Sequence, residues 1–115
     1  MDTGSATSRM TQRRSRILVV DDDPSVARVL TRVAQRLGFE ATAVIEPGQV
    51  VARVERLQPE MILLDLSMPG LDGVEILRAL ALGRSRAQIC LISGADRDVI
   101  DAARGLGHEL GLQMA

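Results

Sequence analysis

Two short apolar runs in this chain each end in carboxylates. Ile17-Leu18-Val19-Val20 runs into Asp21-Asp22-Asp23, and Met61-Ile62-Leu63-Leu64 ends at Asp65. Runs this short and apolar throughout read as strands of a buried parallel sheet, because a strand covered on both faces shows no polar alternation. If the two strands are parallel neighbours, their C-terminal ends share the crevice where open α/β sheets bind ligands. At least three carboxylates then converge there. Clustered carboxylates repel one another, and a hard divalent cation such as Mg²⁺ is their usual relief. A single aspartate after a strand does no more than begin a solvated turn. Two acidic clusters at corresponding strand ends favour a metal pocket.

The rest of the chain supplies the alternation such a sheet requires. Pro24 and Ser25 open a helix, Pro being tolerated in a first turn. Val26, Val29, Leu30, Val33, Ala34 and Leu37 fall on one helical face, and Gly38 stops it. Phe39–Ile45 reads as a second strand, followed by a turn at Pro47-Gly48. A shorter helical stripe of Val50, Val51, Val54 and Leu57 ends before Pro59, and Met61–Leu64 is the third strand. Val74, Ile76, Leu77, Leu80 and Ala81 predict a third helix, and Gln88–Ile92 a fourth strand. Val99, Ile100, Ala103, Leu106 and Leu110 predict a fourth helix, softened by Gly105, Gly107 and Gly111. Strict β-α alternation implies an α/β fold, a parallel sheet with right-handed crossovers and helices on both faces. The last residues, Leu112–Ala115, read as the beginning of a fifth strand.

Composition bounds the function. At 115 residues, 46% of them hydrophobic, the chain is one domain with a real core. Its 14 basic against 15 acidic residues give no electrostatic argument for nucleic acid or an acidic membrane. Residues 1–15 offer almost nothing to bury and read as a disordered leader; Arg9, Arg13, Arg14 and Arg16, without aromatics, read as a solvated tail. No apolar run approaches membrane-spanning length and there is no signal-peptide pattern, so a cytoplasmic protein is the default. The single Cys90, inside Ile89-Cys90-Leu91-Ile92, reads as a buried inert thiol. His108 has no partners at metal spacing and reads as a surface or satisfied histidine.

Three segments carry a family resemblance. Ile17 to Pro24 resembles the first strand and acidic pair of the receiver domain of two-component response regulators, the chemotaxis-receiver type. Asp65-Leu66-Ser67-Met68-Pro69-Gly70-Leu71-Asp72-Gly73 resembles its phosphoacceptor loop, and Leu91-Ile92-Ser93-Gly94-Ala95 its fourth strand with the switch hydroxyl. All three occur in the family's order across residues 16–115. The resemblance implies a flavodoxin-like doubly wound sheet, here in order 2-1-3-4 with the fifth strand and fifth helix missing. It implies that Asp65 accepts a phosphoryl group from the phosphohistidine of a sensor histidine kinase or phosphotransfer protein. By the same resemblance Asp21, Asp22, Asp65 and the backbone carbonyl of Ser67 hold Mg²⁺, and Ser93 is the switch hydroxyl that binds a phosphoryl oxygen. Gly94 would keep access to Asp65 open, and Pro69 and Gly70 would shape the loop.

Departures from the family pattern raise further expectations. The family places a lysine after its fifth strand, and this sequence has no lysine; Phe39 is its only aromatic. Either the sequence is a piece of a longer receiver or the receiver is degenerate, and the stop at Leu112–Ala115 favours a piece. The Gly- and Ala-rich last helix is similar to that of receivers fused to EAL-type cyclic-di-GMP phosphodiesterase domains. Without a fifth strand, the exposed fourth strand would invite self-association. The main reading is a signalling phosphoacceptor, not a metabolic enzyme. A receiver-like scaffold that works without phosphorylation is one alternative. A haloacid-dehalogenase-type phosphatase is another, since Asp21, Asp23 and Ser25 fit an Asp-x-Asp-x-Ser pattern.

Overall fold

Each apolar run becomes a strand and each stripe a helix, in strict alternation. The computed structural model of the chain describes residues 15–67, 72–92 and 97–115. The elements are β1 (Arg16–Val20), α1 (Pro24–Arg36), β2 (Glu40–Val44), a 3-10 turn (Pro47–Gln49), α2 (Val50–Leu57), β3 (Met61–Asp65), α3 (Asp72–Leu82), β4 (Gln88–Ile92), α4 (Arg97–Glu109) and β5 (Gln113–Met114). The sheet is parallel throughout, in the order β2-β1-β3-β4-β5. This is the flavodoxin-like order. The expected leader lies outside the described residues except for Ser15, whose carbonyl accepts the Glu40 N–H at 2.9 Å and so extends the β1–β2 ladder. Arg16, expected in a solvated tail, starts β1, donates from Nη1 to the Leu57 carbonyl at 2.8 Å and pairs with Glu40.

The expectation of a missing fifth strand is corrected. Gln113 and Met114 pair with Gln88 and Ile89, and the Ala115 N–H donates to the Ile89 carbonyl at 2.8 Å. Gly111 makes this possible with a left-handed φ of +85°, which turns the chain back toward the sheet. Leu112 is then buried, and Met114 lies against Gly107 of α4 where a larger side chain would collide with it. The β4 edge is therefore covered over Gln88 and Ile89. Beyond them, Cys90 to Ile92 meet no strand on that side among the described residues.

The two faces of the sheet are covered unequally. Helices α2, α3 and α4 close one face, burying Leu18, Val20, Ile62, Leu64, Ile89 and Leu91 beneath Val50, Val54, Leu77, Leu80 and Ala103. Among the described residues only α1 lies on the other, where Ile17, Val19 and Ala34 form a smaller cluster edged by Leu30, Phe39, Met61 and Leu63. β1 is buried on both faces, whereas the α1-side residues of β3 and β4 are half-buried. Cys90 is among them, so the expectation of a buried thiol is corrected to a half-buried one.

The face of α1 follows its expected stripe in part. Leu30 and Ala34 pack on the sheet as expected, with Ala27 also buried, while Val26, Val29, Val33 and Leu37 are exposed. Small side chains let the helix lie close on Ile17 and Val19, which turns the larger residues outward. The helix starts at Asp23, whose carboxylate accepts the N–H groups of Ser25 at 2.9 Å and Val26 at 3.4 Å. That N-cap satisfies donors that would otherwise be orphaned. Gly38, at φ +96°, ends the segment.

Gly105 and Gly107 test the docking of β5. A Cβ on Gly105 meets nothing, so Gly105→Ala should stabilise by about 0.5–1 kcal/mol through helix propensity. The same change at Gly107 drives a methyl into Met114. The overpacking cost of about 1–3 kcal/mol outweighs the propensity gain. Thermal unfolding should rank Gly105→Ala above wild type and Gly107→Ala below it; the reverse order would mean that Met114 does not pack there.

Candidate functional site

The carboxylate crevice follows from strand register. Val20 pairs with Leu64 across β1 and β3, so the next residues along both strands, Asp21 and Asp65, emerge side by side. Asp22 follows at once. Each of Asp21, Asp22 and Asp65 places a carboxylate oxygen within 4.8 Å of the others. Asp21 is 3% exposed and Asp65 8%, whereas Asp22 is open to solvent. Two carboxylates are thus held out of water beside a third.

Backbone amides compensate only part of this charge. The Asp23 N–H donates to Asp21 Oδ1 at 2.9 Å, and the Ser67 N–H to Asp65 Oδ1 at 2.8 Å. No arginine pairs with any of the three acids among the described residues. Burial pushes the Asp21 carboxyl above its ordinary value; the Asp23 N–H opposes this, and the charges of Asp65 and Asp22, with a hydrogen bond shared with Asp65, add to the rise. A cluster of oxygen donors with uncompensated negative charge fits a hard divalent cation, which prefers carboxylates and waters.

The sequence-predicted residues fall as follows. Asp21, Asp22 and Asp65 come together, and Ser67 sits at the same strand end, tied to Asp65. Ser93 and Gly94, Pro69 and Gly70 lie outside the described residues. Asp23 belongs to the α1 cap rather than to the cluster, and Ser25 donates its N–H to Asp23. The Asp-x-Asp-x-Ser pattern therefore contributes one carboxylate to the site and one to a helix, which removes the geometric case for a phosphatase of that type. His108 is exposed, as expected. A concavity of about 580 Å³ between α2 and α3, lined in part by Glu55, Glu60, Arg84 and Arg86, opens at the opposite end of β3 and β4. It is remote from the carboxylates and has no comparable cluster.

The raised Asp21 carboxyl makes stability depend on pH. A carboxyl that holds its proton more tightly folded than unfolded contributes fully below the unfolded value, near 3.8, and loses that contribution as pH rises through the folded one. Asp21→Asn removes the loss. In chelator, the variant should melt above wild type at about pH 7. The gap should close toward about pH 4. Equal midpoints at both pH values would show that Asp21 ionises as easily folded as unfolded.

The chain is similar to known proteins in sequence and in fold. Residues 17–112 match the response regulator receiver domain family. The chain is 39% identical over 97 residues to the DNA-binding response regulator MtrA of Mycolicibacterium smegmatis, covering 84% of this chain and 42% of that protein. It is 35% identical over 106 residues to the transcriptional regulatory protein PrrA of Mycobacterium leprae, covering 92% of this chain and 42% of that one. The chain thus spans about two fifths of the length of these relatives. A response regulator from Colwellia psychrerythraea superposes with a TM-score of 0.77 at 31% identity, over 89% of this chain and 81% of that one. A receiver domain from Bermanella marisrubri gives 0.72 at 29% identity, over 89% and 83%. With the crescent of aspartates at the ends of β1 and β3, these matches place the chain in the response regulator receiver domain family of two-component signalling.

Proposed function

We propose that Asp65 is the phosphoacceptor of this receiver. The carrying observation is its place at the end of a central strand, nearly buried and within 4.8 Å of two further carboxylates. Oδ1 is engaged by the Ser67 N–H, which leaves the other oxygen as nucleophile. That oxygen attacks the phosphorus of a phosphohistidine on a sensor histidine kinase or phosphotransfer protein. The P–N bond breaks, its electron pair stays on the imidazole, and an acyl phosphate forms on Asp65. Asp21, Asp22, Asp65 and the Ser67 carbonyl would hold Mg²⁺, which when bound neutralises charge between the anionic carboxylate and the anionic phosphoryl group. Ser93 would then bind a phosphoryl oxygen and draw its loop inward.

In this reading the chain is a signalling switch that works in the cytoplasm and not a metabolic enzyme; no described helix is long and apolar enough to cross a membrane. The domain proper starts at residue 16, after the leader. The matched relatives are named as DNA-binding and transcriptional regulators, which favours a DNA-binding output over an EAL-type one for a longer form of this protein.

Mg²⁺ titration followed by calorimetry should show weak binding, with few protein oxygens and several waters, and Asp65→Asn should weaken it about tenfold. Equal binding by both proteins would remove Asp65 from the metal site, and no binding by either would favour a phosphorylation-independent scaffold. Incubation with acetyl phosphate and Mg²⁺ should add one phosphoryl group, located by mass spectrometry at Asp65 and absent from Asp65→Asn. Label persisting in that variant would move the acceptor elsewhere.

A further inference from the structure

On the Mg²⁺ reading proposed above, we infer that Asp23 is a positioning residue for the cation site, coupling the first turn of α1 to the carboxylate pocket. Asp23 stands between the two and is bonded to both. On the pocket side its N–H donates to Asp21 Oδ1 at 2.9 Å. On the helix side its carboxylate accepts the Ser25 N–H at 2.9 Å and the Val26 N–H at 3.4 Å. Its carbonyl accepts the Ala27 N–H at 2.9 Å. The start of α1 therefore sets the backbone direction of Asp23, and that direction aims the N–H that holds Asp21.

The neighbours of Asp23 make this coupling stiff. Upstream, the Asp21 N–H donates to the Val44 carbonyl at 3.2 Å, which ties the end of β1 to β2. Downstream, Pro24 keeps the residue before it out of the helical region, and Asp23 is extended at φ −91° and ψ 110°. Buried Ala27 and Ala34 hold α1 itself on the sheet. Any freedom gained at Asp23 thus passes to the peptide between Asp22 and Asp23, whose N–H engages Asp21. Asp22 lies between these anchors with its side chain exposed, so the backbone on either side fixes where its carboxylate starts. The acid cluster comprises Asp21, Asp22 and Asp65, and the Asp23 carboxylate is engaged by the α1 amides instead. A group that only holds a ligand still governs affinity, typically by about 10–100-fold. A plain helix cap would stabilise α1 and leave the pocket indifferent; here the cap and the bond to Asp21 belong to one residue.

Calorimetric Mg²⁺ titration of the 115-residue chain at about 0.15 M ionic strength tests the proposal. Asp23→Ala and Asp23→Asn lose the same charge, but asparagine keeps a capping oxygen as good as the aspartate's. Asp23→Ala should bind Mg²⁺ about tenfold more weakly than Asp23→Asn. Gly38→Ala strains the other end of α1, where φ is +96°, and should bind as wild type does. Coupling is reciprocal, so saturating Mg²⁺ should slow hydrogen exchange at the Ser25 and Val26 amides of wild type by a comparable factor. That measurement needs no variant to fold. Equal affinities of the two Asp23 variants overturn the proposal: a shared loss assigns the effect to charge, and no loss leaves Asp23 a helix cap alone. Equal weakening in Gly38→Ala traces the loss to a loosened helix and overturns it as well, as does exchange that Mg²⁺ leaves unchanged at both amides. A wild type that binds no Mg²⁺ removes the cation site and this role together, whereas wild-type binding with equal Asp23 variants removes this role alone.

Discussion

Everything functional here depends on one pairing, that of β1 with β3. Parallel register brings Asp21 and Asp65 to adjacent strand ends, and the apolar residues behind them, Val20 and Leu64, are fully buried. The pairing is held by sheet hydrogen bonds and by helices packed on those strands, so it does not relax when the carboxylates repel. Charge that the fold cannot disperse must be met by something else. Two backbone amides meet a part of it. The remainder is the electrostatic basis for cation binding, and it exists because the hydrophobic core opposes it.

Phosphorylation of such a cluster adds negative charge to a place already rich in it. The family resemblance supplies a lysine at this point; these 115 residues contain none, and no described arginine reaches the acids. In the proposed reading a bound cation and oriented N–H groups would supply countercharge at this strand end.

Strands and the carboxylate pocket were legible in the sequence for one reason. A fully buried strand must be apolar at every position, so Ile17–Val20 and Met61–Leu64 declare themselves, and the acids that end them declare the crevice. Helix faces were less legible. On α1 Leu30 and Ala34 of the expected stripe do face the sheet, joined by Ala27, while Val26, Val29, Val33 and Leu37 of the same stripe are exposed. Asp23 illustrates a related ambiguity. As one of three consecutive aspartates it is indistinguishable from a ligand by type, and only its extended backbone and its two amide partners make it a cap. β5 was read as a mere beginning, since two paired residues give no periodicity; a glycine turn and a methionine seated on another glycine decide it.

The misread features on α1 and β4 share a cause. Among the described residues three helices pack on one face of the sheet and one on the other, so burial within these residues is lower on the α1 side. Cys90 is half-buried for that reason, as are Met61 and Leu63, while their neighbours Ile62, Leu64 and Ile89 on the sealed face are fully buried. Alternating burial along β3 and β4 is the signature of a sheet with one side covered, whereas the even burial of β1 marks the strand that α1 does reach. The residues of β3 and β4 are nonetheless apolar on both faces, including the open one. A strand that faced water would carry polar residues at Leu63 and Ile92, so the sequence of these strands is suited to a covered face that α1 alone does not provide.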